Sequence, residues 1–216
     1  MIDAAPLTRI AVIGDIHAQD QLLDAALRAI AALRVDAIAC TGDVVDGSGS
    51  VERCCSLLRE HNVLCVRGNH DRWVFTGILR TPAGTCVQQL SADSQRFLRN
   101  LPRTRELLTT NGVMLLCHGI GEFDLEKITS YDTDYSFRTN QRLQDVISGG
   151  KYRLMVNGHS HERLVLRVGE LTIVNAGTLT DPEDPGFVLL DFDRNVVQWH
   201  QLRSTEGSVP EERTLL

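Results

Sequence analysis

Five short turns carry the residue types that could do chemistry: Gly14-Asp15-Ile16-His17, Gly42-Asp43-Val44-Val45-Asp46, Gly68-Asn69-His70-Asp71, Cys117-His118-Gly119 and Gly158-His159-Ser160-His161. Five of the seven histidines sit in them, and His61 and His200 fall outside. Carboxylates and imidazoles gathered without thiolates suit manganese, iron, cobalt, nickel or zinc better than calcium or magnesium, which prefer all-oxygen shells. The donors outnumber one tetrahedral site. Two ions sharing a carboxylate would use them all, and a two-metal clamp suits in-line attack on phosphorus. His159 and His161 are one residue apart, and alternate positions of an extended segment face the same side. Each turn by itself reads as a loop or a helix cap. Their joint occurrence carries the metal reading.

Elements that deliver such turns are legible around them. Residues 9–13, 37–41 and 63–66 are apolar runs of the kind that form buried parallel strands. Leu22, Leu23, Ala26, Leu27, Ile30 and Leu33 recur at helical spacing, which predicts a helix over 21–34; a second runs over 50–61. Strand, helix, strand, helix, strand implies parallel pairing with right-handed crossovers. In open α/β sheets the ligand crevice lies beyond the carboxyl ends of the strands, so the turns should converge. The second half reads as antiparallel and β-rich. It holds a helix over 91–101, a hairpin of 104–110 with 113–117 around Asn111-Gly112, and a helix over 137–147. A strand over 154–157 and hairpins of 163–168 with 171–174 and 187–192 with 196–202 follow. Residues 204–216 read as a loose polar tail.

A chain of 216 residues, 43% hydrophobic and 23% charged, fits one domain over 1–216. Its net charge of -6 argues against a general binder of nucleic-acid polymers or membrane surfaces. The opening residues hold no basic, apolar leader and no run is long enough to span a bilayer, so the expected setting is soluble and cytoplasmic. The six cysteines lack any CxxC spacing and read as reduced, small hydrophobes.

In this order the blocks D-x-H, GD-x-x-D, GNH-D, H-G and GH-x-H, spanning residues 15–161, resemble those of the calcineurin-like metallophosphoesterases, in particular the short bacterial phosphodiesterase-type members. The resemblance implies an α/β, βαβαβ metallophosphatase fold: two mixed β-sheets sandwiched between helices in four layers. It implies two divalent transition-metal ions, manganese foremost. Asp15, His17 and His161 would hold one ion, Asn69, His118 and His159 the other, and Asp43 would bridge. His70 would protonate the leaving group or stabilise the transition state, with Asp46 orienting its ring. The implied reaction is hydrolysis of phosphate diesters or monoesters of small molecules or nucleotides by a metal-bridging hydroxide. Asn69 and Arg72 are candidate substrate-binding residues, Arg72 because its fork suits a phosphate.

Other activities in the superfamily are dinucleoside-polyphosphate hydrolysis and serine/threonine protein dephosphorylation. The protein phosphatases read D-x-V-D-R-G, with the Arg on phosphate. This chain reads Asp43-Val44-Val45-Asp46-Gly47-Ser48, without that Arg. Some short relatives carry Cys at the position of His70, and keeping the His favours monoesters alongside diesters. Asn175-Ala176-Gly177-Thr178 is a relaxed form of their Asn-Pro-Gly-Ser turn. An inactive scaffold of the same fold is the non-enzymatic alternative, which the complete set of blocks opposes. Residues 120–135 are the candidate substrate-shaping loop. Residues 180–186, acidic and Pro-rich, read as a rigid surface loop or a lid.

Overall fold

Side chains alternate across a strand, and that alternation sets the layers of this protein. The computed structural model describes residues 5–77, 84–180, 182–202 and 208–215. In β1 (Arg9–Ile13), Ala11 and Ile13 join one apolar cluster while Ile10 and Val12 join another. The first cluster lies under the helices α1 (Asp20–Ala31), α2 (Val51–Glu60) and α4 (Ala92–Arg99), through Leu23, Leu27, Leu57, Leu58 and Leu98. In β5 (Gly112–Cys117), Met114 and Leu116 share the cluster of Ile10 and Val12, so this core lies between two sheets. Leu115 and Cys117 of the same strand face a third cluster with Leu143 of α6 (Gln141–Ser148). The result is helix, sheet, sheet, helix. Each fully buried Leu or Ile contributes about 1.5–3 kcal/mol, and three such clusters hold the strand ends in fixed register.

The first sheet runs β11-β10-β9-β1-β2-β3, with β2 (Ala37–Cys40), β3 (Leu64–Cys65), β9 (Gly186–Asp191), β10 (Val196–Leu202) and β11 (Ser208–Leu215). β1, β2 and β3 are parallel, and β9 joins β1 antiparallel. The second sheet runs β4-β5-β6-β8-β7, with β4 (Thr104–Thr109), β6 (Tyr152–Asn157), β7 (Arg163–Val168) and β8 (Leu171–Ala176). Both sheets are mixed, as the resemblance implied.

Four expectations are corrected. Residues 208–215 are no loose tail: they form β11, paired antiparallel with β10. The second half is not wholly antiparallel, because β5, β6 and β8 run parallel; the β7–β8 hairpin is local, but β6 pairs with β8 rather than with β7. The single helix over 137–147 is two, α5 (Asp134–Thr139) and α6, because Asn140 takes an extended ψ of 98° and its side chain caps Leu143 N at 3.1 Å. The run over 63–66 yields only the two-residue β3 before α3 (Asn69–Trp73) begins. All six cysteines are unpaired, and five are buried. Among the described residues no helix is long and apolar enough to cross a membrane.

Candidate metal centre

The five turns do converge. Donor atoms of Asp15, His17 and His161 lie within 4.8 Å of one another, as do those of Asp43, His118 and His159 and those of His17, Asp43 and His70. Asp15, His17, Asp43 and Asn69 come from the ends of β1, β2 and β3; His118, His159 and His161 come from the ends of β5 and β6. The centre is therefore a seam between the two sheets. Tight approaches close it: a Cβ on Gly68 would sit 2.1 Å from Asp43 Oδ1, and one on Gly158 2.2 Å from Asp15 Oδ1. The backbone is strained here. His17, Asp43, Asp46, His159 and His161 all adopt left-handed φ between 45° and 69°.

Local hydrogen bonds fix which ring nitrogen faces inward. His17 Nδ1 is 3.1 Å from the Asp46 carbonyl, and His118 Nδ1 is 2.8 Å from that of Thr41. Each Nδ1 donates to its carbonyl, which turns Nε2 toward the cleft. There the nitrogens meet other electron-rich atoms. His17 Nε2 is 3.2 Å from His161 Nε2, His161 Nε2 is 3.1 Å from Asp15 Oδ2, and His118 Nε2 is 3.2 Å from Asp43 Oδ2. Asn69 Oδ1 faces His118 Nε2 at 2.9 Å; turned over, the same amide would instead donate to His118 and His159. Lone pairs gathered against lone pairs require cations between them, either protons or metal ions. The donor set of imidazole, carboxylate and amide oxygen fits divalent transition metals.

Without metal, protons fill that need. Burial alone would lower the His118 imidazole, but the Asp43 and Asp15 carboxylates override it and raise it to about 10. His161 is raised against burial to about 9 by Asp15 and Glu183. Burial and the charge of His118 push His159 down to about 4. Asp43 resists its burial and stays well below the usual carboxylate range, held there by His118, His17 and His70. Asp71 behaves oppositely. Burial and the Asp43 charge raise it to about 6.

His70 stands beside the cluster, with Nδ1 2.7 Å from Asp46 Oδ2. Its pKa is raised: burial opposes, and the Asp46 hydrogen bond and the Asp43 charge prevail. Arg72, expected on the substrate, is engaged by a carboxylate. Its guanidinium grips Asp124 through two bonds of 2.7 and 2.9 Å. Asp71 sits at the third helical position of α3. There it accepts Gly68 N at 2.9 Å and Val44 N at 2.8 Å, tying the second and third turns together.

Several residues of the site were not singled out from sequence. Glu183 Oε2 lies 2.5 Å from His161 Nδ1, in the carboxylate–histidine arrangement that orients metal ligands. Thr85 accepts from Asp46 N at 2.9 Å and donates its own N–H to Asp46 Oδ1. Trp73 packs its ring 4.8 Å from that of His70, and Lys127 and Ser160 line the same cleft. No local spacing signals these contacts. The acidic, Pro-rich composition of 180–186 pointed at the segment holding Glu183 without naming the residue; Asp181 lies outside the described residues.

A family model for the calcineurin-like phosphoesterase superfamily domain matches residues 8–195. An uncharacterised protein of Methanocaldococcus jannaschii is 42% identical over 66 residues, which are 31% of this chain and 27% of that relative; the match thus spans little more than a quarter of the relative's length. Among solved structures, a metallophosphoesterase from Sphaerobacter thermophilus aligns over 90% of this chain and 88% of its own, with 24% identity and a TM-score of 0.68. A hypothetical protein from Pyrococcus horikoshii aligns over 90% and 87%, with 16% identity and a TM-score of 0.72. At these identities the two structures speak for the fold.

Proposed function

The chain belongs to the calcineurin-like phosphoesterase superfamily, and from that membership we propose that it hydrolyses phosphate esters of small molecules or nucleotides, using two divalent transition-metal ions with manganese foremost. Asp15, His17 and His161 would hold one ion and Asn69, His118 and His159 the other. Asp43 would serve both, and its geometry carries the reading. One oxygen of it, Oδ2, is 3.2 Å from His118 Nε2 and 3.9 Å from His17 Nε2, within reach of both halves. Such an ion pair, when bound, lowers the pKa of water and neutralises phosphoryl oxygens.

The protein's own contribution is position and a proton. Asp46 holds the His70 ring through Nδ1 and raises its pKa, so the imidazole is charged more of the time and can protonate a departing alkoxide. Thr85 in turn fixes Asp46. Gly47 stands where the protein phosphatases carry their phosphate-gripping arginine, which weighs against protein-phosphatase chemistry. An inactive scaffold would have no use for the His70–Asp46 pair beside a complete ligand set. Six unpaired thiols support a reducing, cytoplasmic setting.

The test is a metal-reconstituted screen of nitrophenyl phosphate, bis-nitrophenyl phosphate, cyclic nucleotides, diadenosine polyphosphate and a phosphopeptide, run on the wild type and on Asp43→Ala. Metal-dependent turnover of small esters that Asp43→Ala abolishes is expected. Turnover that survives Asp43→Ala, or none in the metallated wild type, sinks the proposal.

A further inference from the structure

Lys127 lines the cleft with His70 and His159, yet it has no part in the metal or acid roles above. Three arginines around the cleft are committed to acids: Arg72 to Asp124, Arg103 to Glu122 and Arg163 to Asp184. Among the described residues no carboxylate pairs with the Lys127 ammonium. Its charge nevertheless reaches the centre, as one of the influences that hold the His159 pKa down.

Most exposed lysines on loops are simply solvated. This one is carried by a loop pinned on both sides. The Phe123 and Glu126 carbonyls rest on Gly119, where a Cβ would meet them at 2.3 and 2.7 Å. Ile128, the next residue, is 1% exposed. Thr129 N donates to Asp132 and Ser130 N to Glu162, each at 2.8 Å. Because Gly119 follows His118 directly, the loop is fixed relative to a ligand of the centre, and the Lys127 backbone with it.

Atom counting then gives this cation a task. A phosphodiester has two non-bridging oxygens, one for each of two ions. A phosphomonoester has a third, and above its second pKa near 6 it bears a second negative charge. We propose that Lys127 selects phosphomonoesters, its ammonium taking the third terminal oxygen of a dianionic phosphoryl group, an oxygen that a diester lacks. The inference rests on the hydrolase reading above and deepens it. A lysine suits the task as a compact charge with three donors on a flexible stem. The ions serve both classes of ester, so discrimination falls to the loop.

Inorganic phosphate is the probe that separates this proposal from turnover. Manganese-loaded wild type and Lys127→Gln are titrated with phosphate by calorimetry at about pH 8, where it is dianionic, and KM is measured for nitrophenyl phosphate and bis-nitrophenyl phosphate. Loss of one charge-assisted contact should weaken phosphate binding about tenfold and raise the monoester KM by a similar factor, while the diester KM rises no more than about twofold. Metal content should match the wild type. Unchanged phosphate affinity, or equal losses on the two esters, overturns the selection role. Should the wild type cleave neither ester, the hydrolase reading fails while the phosphate titration still decides on Lys127.

Discussion

His161 shows how much of this centre depends on single contacts. One ring nitrogen meets Asp15 and the other meets Glu183, so its orientation is set from both sides. Outer carboxylates of this kind typically change metal affinity by about 10- to 100-fold. Glu183→Gln should therefore weaken one of the two ions by that factor in a metal titration, with the other ion unaffected. His70 is expected to behave differently. His70→Ala should retain both ions yet lose about 10²- to 10⁴-fold in turnover of alkyl esters, with a smaller loss on nitrophenyl esters, whose leaving group needs no proton. Equal losses on both ester types would remove the acid role. Arg72 teaches the opposite lesson. Its fork looked suited to phosphate, but the partner that claims it, Asp124, is 52 residues away, and no local pattern announces such a pairing.

The strands bring these residues together, and glycines let them approach. Gly68 leaves room for Asp43 Oδ1 and for the Asp43 backbone nitrogen, which a Cβ would meet at 2.1 and 2.4 Å. Gly68→Ala should displace the shared carboxylate, destabilise the fold by about 1–3 kcal/mol through overpacking, and lower the affinity of both metal sites together. Thermal melts with and without metal would check this, and a loss confined to one ion would show that Asp43 does not serve both. The Gly-Asp, Gly-Asn and Gly-His pairs were legible in sequence because the constraint falls on adjacent residues. β1, β2 and the helices α1 and α2 were legible for a similar reason, since their periodicity is local. β11 was not, because its backbone pairs with β10 while its sequence carries Pro210 and neighbouring charges. The break at Asn140 was missed because the apolar spacing continues through it.

Taken together, the two sheets share one set of candidate ligands, and the ions would staple them. Metal at a hundredfold excess over its dissociation constant should add about 2.7 kcal/mol per site, and a chelator should lower the melting temperature accordingly. Acidity modulates this in a defined direction. In the metal-free protein His118 and His161 are raised to about 10 and about 9, so their protonation contributes stability that is complete below an unfolded value of about 6.5 and is lost as pH rises through 9 to 10. Metal must displace those protons, so its affinity should move the other way, rising with pH, with proton release detectable by calorimetry in buffers of different ionisation heat. The four-layer architecture could be anticipated from the blocks; the order of strands in the second sheet could not, because the β6–β8 pairing passes over the nearer neighbour β7.

The left-handed turns at His17, Asp43, Asp46, His159 and His161 have a consequence for any population of variants bred for heat resistance alone. Glycine at those five positions would relieve about 1 kcal/mol or more of backbone strain apiece, but it would add its own entropy cost and remove their carboxylate and imidazole contacts. Breeding at saturating metal should thus retain the strained ligands even without a catalytic screen, because the ions they hold would add more stability than the strain removes.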